Sequence, residues 1–379
     1  ALLLTHDDLD HSGYLPLLAR EGYSGHVYAS RGTRDLCHIL LPDSGHIQEE
    51  DAAFANRHAF SKHAPALPLY TRQDALNALP LIKAHEFGKT FAPLAGWKAT
   101  LSPAGHILGA SSILLEVAGR RILFSGDLGR PDDLVMSPPD DAPAADTVLI
   151  ESTYGDRAHP KEDLLAELAP ALQRVAKRGG VAVVPVFAVG RAQALLHAIH
   201  VLKIKGELPS SLPVFLDSPM AVHTTHLYEQ YLGEHRLSRQ DTHALTHSAT
   251  MILSASGMAT GGRVLHHLAH YAGDHRNMII LTGFQAPGTR GATLANHSGS
   301  VRIHGRDVDV YAEVVQLESA SAHADANQLL AWLRTLPQAP DQVYVVHGEP
   351  EASDALRQRM ERELKLRAVV PEHGSTWPS

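Results

Sequence analysis

Apolar residues along this chain gather into short runs that stop abruptly at polar, glycine-flanked segments, the pattern of strands feeding loops and helices. The first run, Ala1-Leu2-Leu3-Leu4, ends at Thr5-His6-Asp7-Asp8-Leu9-Asp10-His11; a short helix is predicted over Gly13 to Arg20 and a strand over His26 to Ala29. Gly32 to about Asn77 reads as mostly helical, with Pro42, Pro65 and Pro68 as punctuation. Ser111 to Val117, a turn at Ala118-Gly119-Arg120 and Arg121 to Phe124 read as a hairpin, and Thr147 to Ile150 as another strand.

From Asp156 the texture becomes repeated strand-then-helix units: Val181 to Phe187 before a helix to Leu202, Val214 to Leu216 before a helix through Tyr231, Met251 to Ser254 before Val264 to Tyr271, and Met278 to Leu281 before a glycine-rich turn. Such alternation predicts a parallel α/β sheet whose ligand crevice lies beyond the strand ends. Its turns bring Arg191, Arg263 and Arg290 to helix N-termini, where they could cradle phosphates. Turn geometry alone is the competing account of those glycines, and none of the turns is a nucleotide-binding fingerprint. Val308 to Val315 alternates as a strand, Asn327 to Leu333 reads as a helix, and Gln342 to Val346 is a buried-type strand running into His347.

Composition narrows this. At 379 residues two domains are expected, and 44% apolar with 20% charged content is globular. The longest apolar run, Val181 to Val189, is interrupted by Pro185 and too short to span a bilayer, so a soluble, cytoplasmic protein is expected. The single cysteine, Cys37, permits no intramolecular disulfide and no cysteine-rich zinc site, which leaves histidine and carboxylate to hold any metal. A net charge of −8 argues against a generally adhesive nucleic-acid binder without excluding a nuclease, since basic loops and bound dications set the field locally. The chain opens on Ala1 and enters its densest polar loop within five residues, so a fragment lacking its N-terminal strands is expected.

With 26 histidines present, only those at strand ends beside glycines or carboxylates carry weight. His38, His46, His58 and His63 lack that context and are assigned structural or surface roles. His6, His106, Asp127, Glu151 and His347 have it. His6 and Asp8, two apart in an extended loop, project to one side and can share a metal, while Asp10 and His11 can turn towards a second. Taken singly, the loop could be a strand-to-helix turn with an Asp cap, His106 a tight-turn histidine and Asp127 a turn-capping aspartate. Taken together they form two His/carboxylate shells that share an aspartate.

The chain resembles the β-CASP family of the metallo-β-lactamase superfamily. Thr5 to His11 resembles the family's His-x-His-x-Asp-His loop, Gly105-His106 its third motif and Gly126-Asp127 its fourth. Glu151-Ser152-Thr153-Tyr154-Gly155, Ser321-Ala322-His323-Ala324-Asp325 and Val346-His347-Gly348 resemble the three additional β-CASP motifs. The resemblance implies an α/β fold: a metallo-β-lactamase αββα sandwich formed by residues 1–155 and 321–379, interrupted by an α/β β-CASP insert over residues 156–320.

It further implies a dinuclear ribonuclease. One metal would take His6, Asp8 and His106, the other Asp10, His11 and His347, with Asp127 bridging both. Paired dications roughly 3.5 to 4 Å apart would generate a bridging hydroxide and neutralise the attacked phosphate and leaving oxygen. His323 would be the general acid, oriented by Glu151. Two Zn²⁺ are expected, with Mn²⁺ or Fe²⁺ as alternatives where Asp8 stands in place of the family's histidine, and His347 marks the RNA-acting branch. RNA is the expected partner, with no membrane; a homodimer is allowed. Two other readings stay open: a non-catalytic RNA-binding or scaffolding subunit with a weakened metal site, and a small-molecule hydrolase of the lactonase or glyoxalase kind.

Overall fold

A computed structural model describes residues 1–58, 61–160, 163–245 and 252–376. The chain divides into two compact units, Ala1–Ala158 with His323–Ser379, and His159–Ala322.

The first unit carries two sheets. Leu2–Leu3, Val27–Ser30 and Ile82–His85 form a parallel three-stranded sheet. Leu4, Val27, Ala29 and Ile82 pack with Cys37 and Leu41 of the helix Arg31–His58 into one apolar cluster. Alternation along the strands places these residues on a single face, which the helix covers. Pro42 lies inside that helix. Its missing N–H forfeits one backbone bond, and burial of Leu36, Cys37, Leu40 and Leu41 around it carries the helix through.

The second sheet of this unit has six strands in the order Ala368–Val369, Gln342–Val345, Thr147–Ile150, Arg120–Phe124, Ser111–Val117, Trp97–Pro103. The first four run parallel and the last two pairings are antiparallel. The hairpin turns on Ala118 and Gly119, with φ of 50° and 78°, so Arg120 opens the return strand instead of sitting in the turn.

In His159–Ala322 the repeated units build a five-stranded parallel sheet ordered Glu313–Leu317, Met278–Thr282, Ala182–Pro185, Ile252–Ser254, Phe215–Leu216. Val183, Val184, Ile279, Ile280 and Leu281 are fully buried, which is why these strands are apolar without alternation. Met251, assigned to one of these strands from sequence, lies outside the described residues. One expectation fails: Val308 to Val315 is not a single strand. Arg306–Asp309 pairs antiparallel with Ser300–Ile303, and Glu313–Leu317 joins the parallel sheet. The break is enforced where Tyr311 and Ala312 both donate backbone N–H groups to the carbonyl of Ala272, at 2.9 Å each. Among the described residues no helix is long and apolar enough to cross a membrane.

Candidate metal centre

The chain bends at Thr5 after the strand Leu2–Leu3, and Asp8 (φ −51°, ψ 144°) is the last residue before a single helical turn, Leu9–Ser12. The Asp8 carbonyl closes that turn by accepting from the backbone N–H groups of His11 and Ser12 at 2.9 and 2.8 Å. The turn after Asp8 separates the two pairs: His6 Nε2 lies 3.7 Å from Asp8 Oδ2, and His11 Nε2 lies 3.7 Å from Asp10 Oδ2.

The loops that bring the remaining side chains are stitched together by backbone bonds. Gly129 donates to Ala104 O at 2.8 Å and Ala324 donates to Leu128 O at 2.7 Å, tying the turns that carry His106, Asp127 and His323. Gly105 takes φ +70° and a Cβ there would meet Ser137 O at 2.6 Å; at Gly126 (φ +57°) it would meet Ser111 O at 2.7 Å. Both positions therefore require glycine.

Six donors fall into two sets around one carboxylate. His6 Nε2 and His106 Nε2 lie 3.7 and 3.5 Å from Asp8 Oδ2, and 3.5 and 4.0 Å from Asp127 Oδ2. On the other side His11 Nε2 and His347 Nδ1 lie 3.5 and 3.4 Å from Asp127 Oδ1, while His347 Nε2 is 3.1 Å from Asp10 Oδ2 and 3.2 Å from His11 Nε2. The groups His6–Asp8–His106 and Asp10–His11–His347 each bring their ligand atoms within 4.8 Å of one another.

These separations test whether a metal fits. Tetrahedral coordination with bonds of about 2.0–2.2 Å puts donors roughly 3.3–3.6 Å apart, and the separations found, 3.1 to 4.0 Å, bracket that range. His6 Nε2 and Asp127 Oδ1 are buried without a hydrogen-bond partner, each an outlay of about 1–3 kcal/mol that an ion between the donors would offset. The donor set is nitrogen and oxygen only, suited to zinc, iron or manganese.

The charges agree with this arrangement. Burial raises the Asp127 carboxyl, yet the His11 and His6 imidazoles against it hold it well below the usual range. Burial acts likewise on Asp8, and the His106 hydrogen bond with the charges of His6 and His106 keeps it at about 2. The Asp10 carboxylate lifts His347 to about 9 against the effect of burial. Asp7 belongs to neither set: it is fully buried, and burial together with the charge of Asp8 raises its carboxyl well above the ordinary value.

Glu151 stands behind the cluster. Its Oε1 accepts from the backbone N–H of Leu128 at 2.6 Å, and its Oε2 lies 3.3 Å from His323 Nδ1. His323 Nδ1 is also 3.9 Å from Asp127 Oδ2. Two residues that lie inside the quoted motifs but had no role assigned there touch the imidazoles: Thr5 Oγ1 lies beside His6 and His11, and Thr153 Oγ1 lies 3.3 Å from His347 Nδ1. Their sequence signal is membership of those motifs, in which the ionisable side chains draw the attention.

The three arginines assigned to phosphate are differently placed. Arg191 opens the helix Arg191–Ile204, donates through Nη1 to Thr282 O at 2.5 Å and lies 4.7 Å from the Phe187 ring centre. Arg290 spends Nε on Arg302 O at 2.6 Å and Nη1 on Thr260 O at 2.8 Å. Each of these two guanidinium groups thus spends part of its donor set on backbone carbonyls. Arg263 pairs with Asp217 at 2.7 Å while its side chain stays 60% exposed.

Comparison with known proteins converges on the same family. Residues 192–294 match the Beta-Casp domain and residues 307–371 the Zn-dependent metallo-hydrolase RNA specificity domain. A Thermus thermophilus protein named a ribonuclease is 34% identical over 94% of this chain and 83% of its own length. Two Methanocaldococcus jannaschii proteins are also similar: one named RNase J-like, 28% identical over all of this chain and 88% of its own, and transcription termination factor FttA, 29% identical over 98% of this chain but 62% of its own. With relatives matched along nearly its whole length and a His/carboxylate cluster at its strand ends, the chain belongs to the β-CASP ribonuclease family of the metallo-β-lactamase superfamily.

Proposed function

We propose that this chain hydrolyses RNA phosphodiester bonds at a dinuclear metal centre. The observation that carries the reading is the Asp127 carboxylate, whose Oδ2 faces His6 and His106 and whose Oδ1 faces His11 and His347. His6, Asp8 and His106 would hold one ion and Asp10, His11 and His347 the other, with Asp127 shared. Two Zn²⁺ suit the donors, and the Asp8 carboxylate, a harder ligand than imidazole, favours Mn²⁺ or Fe²⁺ in the first set. When bound, such a pair lowers the pKa of water and neutralises charge on the attacked phosphate and the leaving oxygen.

The chain's own residues supply the rest. As water oxygen bonds to phosphorus and the bond to the 3′ oxygen breaks, that oxygen needs a proton, which His323 would give. Glu151, fixed by the Leu128 N–H, orients the His323 ring through Nδ1. The match to an RNA specificity domain and the relatives named ribonucleases support RNA as substrate. Asp8 supports a second reading, a binding subunit with a weakened site, because its carboxylate adds a negative charge where the family has a neutral imidazole. The test is digestion of an end-labelled RNA by chelated and metal-restored protein, with fragment ends mapped. Cleavage that disappears on chelation and returns with Zn²⁺ or Mn²⁺ is expected. RNA binding without cleavage under any divalent metal would leave the second reading, and turnover of lactones or thioesters alone would replace both.

A further inference from the structure

Thr5 belongs to neither donor set, yet both its carbonyl and its side chain are packed against the loops around the cluster. Its carbonyl accepts from both the backbone N–H and the hydroxyl of Ser111, at 2.9 Å each. Its Cβ lies so close to Gly126 that a side chain on the glycine would meet it at 3.0 Å. From this position Oγ1 lies 3.1 Å from His6 Nδ1 and 3.4 Å from His11 Nδ1. One hydroxyl therefore contacts a histidine from each set.

An imidazole ligates a metal through a lone pair, so a ring that offers Nε2 must carry its proton on Nδ1. His6 and His11 both turn Nε2 towards Asp127, at 3.5 Å from Oδ2 and Oδ1 respectively. Two Nδ1–H groups then converge on Thr5 Oγ1, and a hydroxyl has two lone pairs to accept them. If the hydroxyl instead donated to one ring, that ring's proton would sit on Nε2 and its lone pair would leave the cluster. The rings are also close to each other, 4.0 Å between centres at 44°, so a tilt of one is felt by the other.

We propose that Thr5 is a positioning residue: its hydroxyl accepts from both Nδ1–H groups, fixes the tautomer and tilt of one histidine in each donor set, and so makes the two metal positions depend on a single side chain. The inference rests on the divalent-metal reading above and deepens it.

The test compares the protein with Thr5→Val, which keeps the shape and removes the acceptor, and Thr5→Ser, which keeps the acceptor. Zn²⁺ stoichiometry and affinity are measured by competition with a chromophoric chelator, alongside the melting temperature of the metal-free forms. The valine variant is expected to melt with the parent when metal-free but to bind both ions about 10–100-fold more weakly, and the serine variant to stay near the parent. Valine that binds Zn²⁺ like the parent, a fall in metal-free melting temperature with unchanged affinity, or serine as weak as valine would each overturn the role. Should valine prevent folding, Thr5→Ala makes the same comparison. A parent that binds no divalent metal overturns the metal reading as well, whereas a parent that loads normally beside an unaffected valine variant sinks only Thr5.

Discussion

At the strand ends of Ala1–Ala158 with His323–Ser379, charged side chains face one another with bonding capacity to spare; at those of His159–Ala322 they face backbone carbonyls or each other. Both regions place glycine and charge after apolar strands. In the first, His6 Nε2 and Asp127 Oδ1 are buried with no hydrogen-bond partner. In the second, Arg191 and Arg290 terminate on Thr282 O, Thr260 O and Arg302 O, and Asp217 binds both Arg263 and His267. Unpaired buried atoms also occur in the second region, Gln285 Oε1 among them, so what marks the first is that several metal-ligating side chains converge on the carboxylate of Asp127. Loop composition does not distinguish the two cases; the bonding of individual atoms does.

The strongest attack on this contrast is Asp127→Ala, which removes a donor from both sets. Phosphodiester cleavage is expected to fall below detection while the circular dichroism of the protein is kept; cleavage near the parent rate would exclude the dinuclear mechanism. His323→Ala comes next, with a rate loss of about 10²–10⁴-fold, largest for poor leaving groups, and metal content unchanged. Loss of metal in that variant would make His323 a ligand instead.

Asp8→His sharpens the first region from within. It removes a carboxylate held at about 2 and is expected to tighten Zn²⁺ binding by at least the ~10-fold typical of changes around a metal ligand, with faster cleavage near neutral pH. Unchanged zinc content and rate would show that position 8 does not weaken the site. In the second region the effects are smaller and of a different kind. Arg191→Ala should lower stability by about 1–3 kcal/mol by leaving the Thr282 carbonyl unpaired, read as a shift in the denaturant midpoint. Arg263→Gln should leave stability nearly intact and reduce the salt slope of RNA binding by up to ~0.9. The reverse assignment of these two outcomes would erase the distinction drawn between the arginines.

What the sequence disclosed follows the same line. Strand ends were legible because fully buried parallel strands leave uninterrupted apolar runs, such as Met278 to Leu281, that stop where side chains meet a loop. The spacing of His6 and Asp8 was legible because extended backbone has a two-residue period. The break between Arg306–Asp309 and Glu313–Leu317 was not, since apolar alternation runs straight through residues whose N–H groups are captured by Ala272 O, distant in sequence. The carbonyl partners of Arg191 and Arg290 were not legible for a related reason: a charge in a glycine-rich turn reads alike whether its partner is a phosphate or a carbonyl. Thr5 was passed over because an acceptor between two imidazoles exists only once His6 and His11 have been folded onto it.

The two donor sets also differ in how they meet solvent. His6 and His106 are 0% and 4% exposed, whereas the side chains of His347 and Asp10 are 33% and 62% exposed. The first set meets solvent only through Asp8, 36% exposed, whereas His347 and Asp10 both open the second, so water and small chelators reach the second set over a wider face. Ions in the two positions would then exchange on separate clocks, so brief dialysis would leave a population carrying one metal only, and a metal-content assay on such a sample would report a history of handling instead of a stoichiometry.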